Sequence, residues 1–229
     1  MVHCNGTLAR MDTLTPTART TLHRRPNRGS YDRETVHAIL DEALICHVGF
    51  VSDDQPYVLP TTHARVGDNL YIHGAVGGRM LKVMRGSIPL CITVTLIDGL
   101  VLARCGFNHS MNFRSVVILG AATEVTDAQM KRRAFDALVE HVVPGRTADI
   151  RVATDQELQA TAVLCVPITE ASAKIRTGPP LDDEEDLKLP CWAGVIPVSV
   201  QTHAPVADPL LAQGISMPAG VANYRRGST

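Results

Sequence analysis

Short runs of β-branched and apolar residues, separated by turn sequences, recur through the middle of the chain. Runs of this length, bounded by Gly, Pro, Asn and Asp, are typical of antiparallel strands joined in sequence order. The predicted strands cover residues 45–52, 57–65, 70–73, 89–97, 100–106, 113–125, 162–168, 171–176 and 198–201. Asp98-Gly99 is a strong hairpin signal between two of them. The sequence therefore predicts a mainly β (α+β) fold, a closed or partly closed antiparallel barrel with a few peripheral helices.

Cap signals predict where the flanking helices begin. Asp32 is a candidate N-cap and precedes apolar residues at helical spacing. Thr126 and Thr154 each open a capping box, because Gln129 and Glu157 follow three residues later. We therefore expect helices to begin just after residues 32, 126 and 154.

The composition excludes several classes of protein. The 229 residues are 45% hydrophobic and 20% charged, with a net charge of −1, which gives no electrostatic case for nucleic acid or an anionic membrane. No apolar run reaches the roughly 18–20 residues of a membrane span, and the first residues lack a signal peptide's apolar core. Six scattered cysteines without C-x-x-C spacing predict free thiols rather than a metal site. We expect a soluble, cytoplasmic protein.

The two ends of the chain differ from its middle. Residues 1–30 are rich in Thr and Arg and show no apolar period, so they are interpreted as an N-terminal arm. Residues 31–205 would form the barrel domain, and 206–229 a flexible C-terminal tail. The acidic run at 182–186 is interpreted as a solvated loop. Whether the arginines of the arm (Arg24, Arg25 and Arg28) touch a ligand stays open.

A glycine-rich turn leads from strand 70–73 into a short helix that Gly86 ends. Arg79 opens this helix, and Lys82 lies one turn further on the same face. Free amides at a helix start, glycines that let a ligand approach, and two cations together form a phosphate cradle. The sequence here is neither a P-loop nor the dinucleotide G-x-G-x-x-G fingerprint. A solvated helix behind a turn is the alternative interpretation.

Several segments together resemble a known family. They read RRPNRGSYD, HVGFV, PYVLPTTHAR, LYIHGAVGGRM, NFRSVVILGAATEV and KIRTGPPLDDEEDLKLPCWAGVIP, in order between about residues 20 and 200. They are similar to the flavin-binding split-barrel proteins of the pyridoxamine-phosphate oxidase superfamily, in the branch that includes the nitroimidazole-resistance reductases. The resemblance implies a six-stranded split β-barrel and a homodimer, with FMN held in a groove at the dimer interface.

The resemblance also implies a set of cofactor-binding residues. The positions that match the phosphate side are Gly78, Arg79, Met80 and Lys82, with Arg114 and Ser115 at the start of a later strand. The positions that match the flavin ring are Pro60, Thr61, Thr62 and Trp192. Strand alternation places Arg114 and Ser115 on opposite faces, so at most one of them meets a given ligand directly.

His73 is the candidate catalytic residue. It shares a strand face with Tyr71, and the resemblance places a histidine here beside the flavin. Its chemistry would be proton delivery to a substrate being reduced, which suits a group with a pKa near neutrality. A packed or surface histidine is the alternative. His63 and His109 are interpreted as structural.

One departure narrows the predicted activity. True pyridoxamine-phosphate oxidases end in Arg-Leu-x-Pro, whereas this chain ends Asn-Tyr-Arg-Arg-Gly-Ser-Thr, so oxidation of a pyridoxal vitamer is not expected. We expect an FMN-dependent oxidoreductase that passes electrons from NADH or NADPH to a small organic acceptor, such as a nitroaromatic. The alternatives are a flavin carrier or redox sensor without turnover, and a split barrel that holds FAD, a deazaflavin or haem instead.

Overall fold

The structure is a computed structural model that describes residues 12–84 and 86–226, apart from the side chain of Arg79. Its strands are β1 Gly29–Ser30, β2 Ile45–Ser52, β3 Gln55–Val66, β4 Asn69–Ala75, β5 Pro89–Leu102, β6 Ser110–Ala121, β7 Thr123–Glu124, β8 Thr161–Pro167, β9 Ala171–Arg176 and β10 Gly194–Pro197. Its α-helices are α1 Arg33–Glu42, α2 Arg79–Met84, α3 Ala128–Val142, α4 Asp155–Ala160 and α5 Ala219–Ala222.

All strand pairs are antiparallel and belong to one curved sheet. The order is β1-β9-β6-β5-β2-β3-β4-β8-β7, and β10 pairs with β5 beside this path. Gly120 of β6 faces Val166 of β8, so the sheet curves back on itself. The predicted fold class, a mostly antiparallel sheet with few helices, is confirmed. The expected count of six strands is not, because the described residues form ten strands, three of them only two to four residues long.

The core fills the interior of this sheet. Alternate residues of β2 are buried there, and α1 closes one end of the interior with Val36, Ile39 and Leu40. A smaller apolar cluster lies under α3 and contains Tyr71, Val125, Ala134 and Val163. β4 therefore lies between the core and α3. This position determines the surroundings of His73.

The predicted Asp98-Gly99 hairpin is wrong. β5 runs through both residues as one strand, and its register against β6 shifts between Ile97 and Gly99. β10 pairs with this part of β5, and a Cβ on Gly99 would lie 2.8 Å from Cγ1 of Val195. The Asp-Gly signal therefore marks a bulge that a neighbouring strand approaches closely, and residues 103–109 make the reversal instead.

The predicted last strand at 198–201 is also wrong, because the strand lies four residues earlier, at Gly194–Pro197. Its pairing with β5 ends at Gly99, and beyond that point the amide of Val198 donates to the carbonyl of Asp98 at 3.1 Å. The bulge in β5 breaks the ladder there, so residues 198–201 find no strand to pair with. The predicted strand at 113–125 is likewise divided, because β7 leaves β6 to pair with β8.

Two of the three predicted caps are confirmed. The Asp32 carboxylate accepts from the amide of Thr35 at the start of α1, and Thr154 and Glu157 form the capping box of α4. The predicted cap of α3 is wrong by one residue. Asp127 rather than Thr126 is its N-cap and accepts from the amide of Met130 at 2.7 Å.

Both predicted terminal segments contact the barrel domain within the described residues. Leu14 is buried in the core, and its amide donates to the carbonyl of Tyr31 at 2.8 Å. At the other end, the guanidinium of Arg226 donates to the carbonyls of Asp41 and Glu42 at the end of α1 and to that of His141 near the end of α3. Cations at helix C-termini satisfy the last carbonyls. The domain boundaries themselves stay predictions.

None of the helices in the described part of the chain has the length and hydropathy needed to cross a bilayer.

Candidate functional site

The glycine-rich turn at the end of β4 is held tightly on one side and open on the other. The amide of Gly78 donates to the carbonyl of Ala75 at 2.8 Å, which closes the turn. A Cβ on Gly74 would lie 2.9 Å from Cδ2 of Leu81, so α2 packs against β4 at glycine distance. Among the described residues, nothing beyond its chain neighbours lies within 4 Å of where a Cβ on Gly77 would be. The exposed side of the turn can therefore be approached by a ligand.

Helix α2 offers backbone amides rather than a row of ligand-facing side chains. Met80, Leu81 and Met84 are buried in the core, so Met80 has only its amide for a cofactor. Lys82 is exposed, and the side chain of Arg79 lies outside the described part of the structure. Since the first amides of a helix have no partner within it, the start of α2 and Lys82 are the elements left to hold a phosphate.

β3 changes its pairing partner where the sequence predicts the flavin ring. Residues 55–62 pair with β2, whereas residues 63–66 pair with β4. Thr61 and Thr62 are half-buried at this junction, and Pro60 is exposed. One step beyond the His63–Ile72 pair lie Thr62 of β3 and His73 of β4. The structure therefore brings the predicted ring strand next to the candidate catalytic histidine and to the turn before α2.

His73 is half-buried between β4 and α3. Its ring meets Phe135 edge-on, with 5.8 Å between the ring centroids. Its Nδ1 is buried and has no hydrogen-bond partner among the described residues. Burial lowers the pKa of His73, so the neutral imidazole is favoured at neutral pH. A neutral ring with a free nitrogen can accept a proton or ligate a metal, and it is a weaker proton donor than the sequence led us to expect.

A cavity of about 430 Å³ opens on the side of β2 that faces away from β3 in the sheet order. Its walls come from the end of α1, from β2, β5 and β6, and from residues 198–200. Ile45 and His47 line it, and they lie directly opposite Thr62 and Pro60 in the β2–β3 pair. Most of the wall is apolar, from side chains such as Leu44, Leu96, Ile97, Val198 and Val200. The cavity suits a flat, largely apolar ligand.

Arg114 lies in this cavity, away from α2. Its guanidinium donates to both carboxylate oxygens of Glu42 and, at 2.8 Å, to Asp98. Its hydrogen bonds to these carboxylates, first to Glu42 and then to Asp98, raise its pKa. Ser115 points to the other face, and its hydroxyl donates to the carbonyl of Lys174 at 3.3 Å. β5, β2 and β3 separate β6 from β4 in the sheet order, so one chain does not bring these two residues to the phosphate turn.

Trp192 is 69% exposed at the start of β10. Its ring lies over Gly194, where a Cβ would be 2.9 Å from the indole carbons. Since Gly194 pairs with Leu102 of β5, Trp192 stands at the far end of β5 from the glycine-rich turn. A tryptophan so exposed is free to contact a ligand or a second subunit.

The two histidines interpreted as structural have backbone partners. His63 has no exposed surface, and its Nε2 lies 2.9 Å from the carbonyl of Leu40. Burial lowers its pKa from 6.5 to about 4. His109 lies 2.9 Å, through Nδ1, from the carbonyl of Cys105.

Within the described residues, three side chains of the types that ligate metals lie close together, although the sequence predicted no metal site. Ligand atoms of Cys105, Asp182 and Asp186 lie within 4.8 Å of one another. Asp182 already accepts from the guanidinium of Arg104 at 2.8 Å. Sequence spacing does not indicate this cluster, because its members come from two loops about 80 residues apart.

The antiparallel barrel, with its glycine-rich turn beside a strand junction, defines a split-barrel protein. Residues 32–175 match the family model described as pyridoxamine 5'-phosphate oxidase. The chain belongs to this family, and the resemblance noted from the sequence is confirmed.

Two solved structures are similar to the chain over nearly its whole length. The flavocytochrome Anf3 from Azotobacter vinelandii is 42% identical, with a TM-score of 0.88, over 93% of this chain and 100% of that one. The FAD and haem binding protein from Mycobacterium smegmatis is 36% identical, with a TM-score of 0.84, over 87% of this chain and 98% of that one.

A third solved structure is similar over a smaller part of the chain. It is a protein assigned to 5-nitroimidazole antibiotic resistance, from Bacteroides thetaiotaomicron. It is 26% identical with a TM-score of 0.54, over 64% of this chain and 86% of that one. No curated protein matches the chain significantly.

Proposed function

We propose that this protein is a flavin-dependent redox protein that binds FAD and a haem. The observation that carries the proposal is its 42% identity to a flavocytochrome over 93% of the chain, together with 36% identity to an FAD and haem binding protein. We therefore propose FAD rather than FMN as the flavin. Haem, which was an alternative to the flavin in the sequence analysis, is proposed as a second cofactor.

The residues at the β3–β4 junction fit a flavin. The open side of Gly77, the first amides of α2 and the ammonium of Lys82 would hold a phosphate group. Because Thr61 and Thr62 lie on opposite faces of β3, the half-buried hydroxyl of one of them would donate to the polar edge of the ring. A bound flavin would accept two electrons from a reduced nicotinamide and pass them on one or two at a time.

The residues present also fit a haem, which needs a neutral nitrogen ligand for iron and apolar surroundings. His73 supplies an imidazole whose Nδ1 is buried and unpartnered among the described residues, beside the ring of Phe135. Burial keeps this imidazole neutral, the form that binds metals. We therefore propose His73 as an iron ligand. His203, which is exposed in the C-terminal part of the chain, serves as the control.

We further propose that NADH or NADPH is the electron donor and that a small organic molecule is the acceptor. Similarity to a protein assigned to 5-nitroimidazole resistance, 26% identical over 64% of this chain, favours testing nitroaromatic acceptors first. Reduction of the protein by NADH or NADPH without turnover of any acceptor would instead favour a flavin carrier or redox sensor.

We also propose a homodimer. Apolar side chains are exposed on the β2–β3 hairpin, which contains the proposed ring strand. They are Ile45, Val51, Val58 and Leu59. A second subunit on this surface would bury them and would cover the ring, since exposed apolar patches commonly mark such interfaces.

The absorption spectrum of the purified protein tests the cofactors. We expect a flavin band together with a sharp haem band, and release of FAD on denaturation. His73→Ala should lose the haem band and keep the flavin, whereas His203→Ala should keep both. A colourless protein that gains no visible absorbance with FAD, FMN or haemin would overturn the proposal, and FMN without haem would restore the simpler expectation from sequence.

A further inference from the structure

Arg176 is a buried cation that has no negative partner among the described residues. It ends β9, lies opposite Phe113 of β6 and is only 4% exposed. Its guanidinium donates to Oδ1 of Asn112 and to the carbonyls of Pro179 at 3.2 Å and Gly178 at 3.4 Å. All three acceptors are neutral oxygens. The hydrogen bonds are thus largely satisfied while the charge is not.

No carboxylate compensates this charge in the part of the chain that the structure describes, since no ion pair involves Arg176 there. The acidic run that follows at 182–186 does not supply one. Its first member, Asp182, is paired with Arg104. Buried charges are normally paired, because removing a charge from water is costly. Arg176 departs from this rule.

Two further cations lie beside Arg176. β1 pairs with β9, with Gly29 opposite Lys174, which brings the preceding turn of 3₁₀ helix, Pro26–Arg28, alongside the end of β9. Arg28 is close enough for its charge to lower the pKa of Arg176, although burial is the larger cause. Lys174 lies two residues before Arg176 and so projects from the same face of β9. Neither Arg28 nor Lys174 forms an ion pair among residues 12–84 and 86–226.

We propose that Arg176 and Arg28, with Lys174 beside them, form a binding site for an oxyanion, the phosphate group of a small molecule. The planar guanidinium of Arg28 can donate two parallel hydrogen bonds to such a group, and the buried positive charge of Arg176 attracts the same group from behind. Bound phosphate would neutralise the buried charge and relieve the repulsion between the two arginines. The site does not depend on the proposed function, because it lies on β9 and the N-terminal segment rather than on β3 and β4.

Pyrophosphate binding to the purified protein tests this site, by titration calorimetry in a buffer of low ionic strength. We expect saturable binding by the wild type. Arg28→Ala should raise the dissociation constant about tenfold or more, as expected for loss of one partner of a charge pair. Arg176→Lys keeps a positive charge but loses the hydrogen bonds to Asn112 and Pro179 that hold this charge in place, so it should also weaken binding. Lys188→Ala removes one exposed positive charge elsewhere and should bind pyrophosphate as the wild type does.

The outcome with Arg28→Ala decides the proposal even where Arg176→Lys fails to fold, because the side chain of Arg28 has no hydrogen bond or ion pair to lose among the described residues. Wild-type protein that does not bind pyrophosphate saturably would overturn the proposal. So would an Arg28→Ala variant that binds it unchanged, or a Lys188→Ala variant that loses binding equally.

Flavin titrations with the same variants identify the source of the phosphate. Weaker FAD binding by Arg28→Ala, with riboflavin binding unchanged, would assign the site to the diphosphate of a flavin dinucleotide. Unchanged binding of both flavins, with pyrophosphate binding lost, would assign it to a separate phosphorylated ligand. A protein that binds pyrophosphate through Arg28 but binds no flavin would refute the proposed function and leave this site standing.

Discussion

His63 lies wholly inside the protein, and its surroundings control its protonation. Burial lowers its pKa from 6.5 to about 4, while its hydrogen bond to the carbonyl of Leu40 acts in the opposite direction. His141, 4.8 Å away between ring centroids, is also shifted to a lower pKa by burial. Both rings are therefore neutral in the folded protein at neutral pH.

This pKa shift predicts a loss of stability in acid. Because the folded-state pKa of His63 lies below the unfolded value, the stabilisation is present above pH 6.5 and is lost as the pH falls towards 4. The shift corresponds to about 3 kcal/mol of unfolding free energy from this residue. Urea unfolding of the wild type at pH 7.5 and pH 4.5 measures the total change. His63→Gln, which keeps a donor for Leu40, should show a smaller change, and an equal one would contradict the assignment.

Arg114 shows how a residue's partners change its role. The sequence correctly separates Arg114 from Ser115 by strand alternation, but it associates both with a phosphate. Folding brings Glu42, 72 residues away, and Asp98, 16 residues away, against the guanidinium. With two carboxylates beside it, Arg114 is occupied within the chain. Arg176, which no pattern singled out, has no carboxylate partner among the described residues.

At the scale of elements, β10 approaches the bulge in β5 so closely that Gly99 has no room for a side chain. A Cβ on Gly99 would lie 2.8 Å from Val195 and 3.2 Å from the carbonyl oxygen of Ile196. Gly106 offers a matched control in the loop that follows, since no described residue other than its chain neighbours lies within 4 Å of its Cβ position.

Gly99→Ala should therefore destabilise the protein by about 1–3 kcal/mol, the usual cost of overpacking, because it forces β10 away from β5. Gly106→Ala should change the unfolding free energy by less than about 0.5 kcal/mol. Chemical denaturation compares the two variants, and fluorescence of Trp192, the sole tryptophan, reports whether the start of β10 has moved. Equal stability of both variants would show that β10 does not need the close approach.

The start of α3 allows a second comparison between neighbouring residues. Asp127 caps the helix by accepting from the amide of Met130, although the sequence pattern favours Thr126. We expect Asp127→Ala to cost about 1 kcal/mol, the usual value for a lost N-cap, and Thr126→Ala to cost much less. Urea midpoints of the two variants measure the difference. A larger loss from Thr126→Ala would restore the cap predicted from sequence.

At the scale of the whole molecule, the homodimer is the property that one chain cannot show. Val58 on β3 is 66% exposed on the surface proposed as the interface, whereas Val206 in the C-terminal segment is 94% exposed. If the proposed interface is correct, a charge at Val58 would be buried against the partner without compensation.

Light scattering during size exclusion should therefore give twice the chain mass for the wild type and for Val206→Lys, and a monomer or weak dimer for Val58→Lys. Circular dichroism would confirm that Val58→Lys keeps its strands. A wild-type monomer would refute the homodimer, and a dimer of Val58→Lys with wild-type affinity would place the interface on another surface.

The sequence by itself determined the elements that depend on local physics. Alternating apolar runs fix strands, cap residues such as Asp32 and Thr154 fix helix starts within a residue, and the glycines after β4 fix the turn that α2 needs. The motifs around these elements were enough to indicate the family. Each of these signals acts over a few residues, so a linear pattern contains it.

Only the tertiary structure decided what the same residues meet across the fold. In the folded chain Asp98-Gly99 lies at a bulge rather than in the predicted hairpin. Met80 is buried in the core, and Arg114 pairs with carboxylates. The tertiary structure also placed Thr62 beside His73 and left Arg176 buried beside Arg28. These outcomes depend on contacts between residues far apart in the chain. Their free energies arise from packing and charge pairing that no local pattern records.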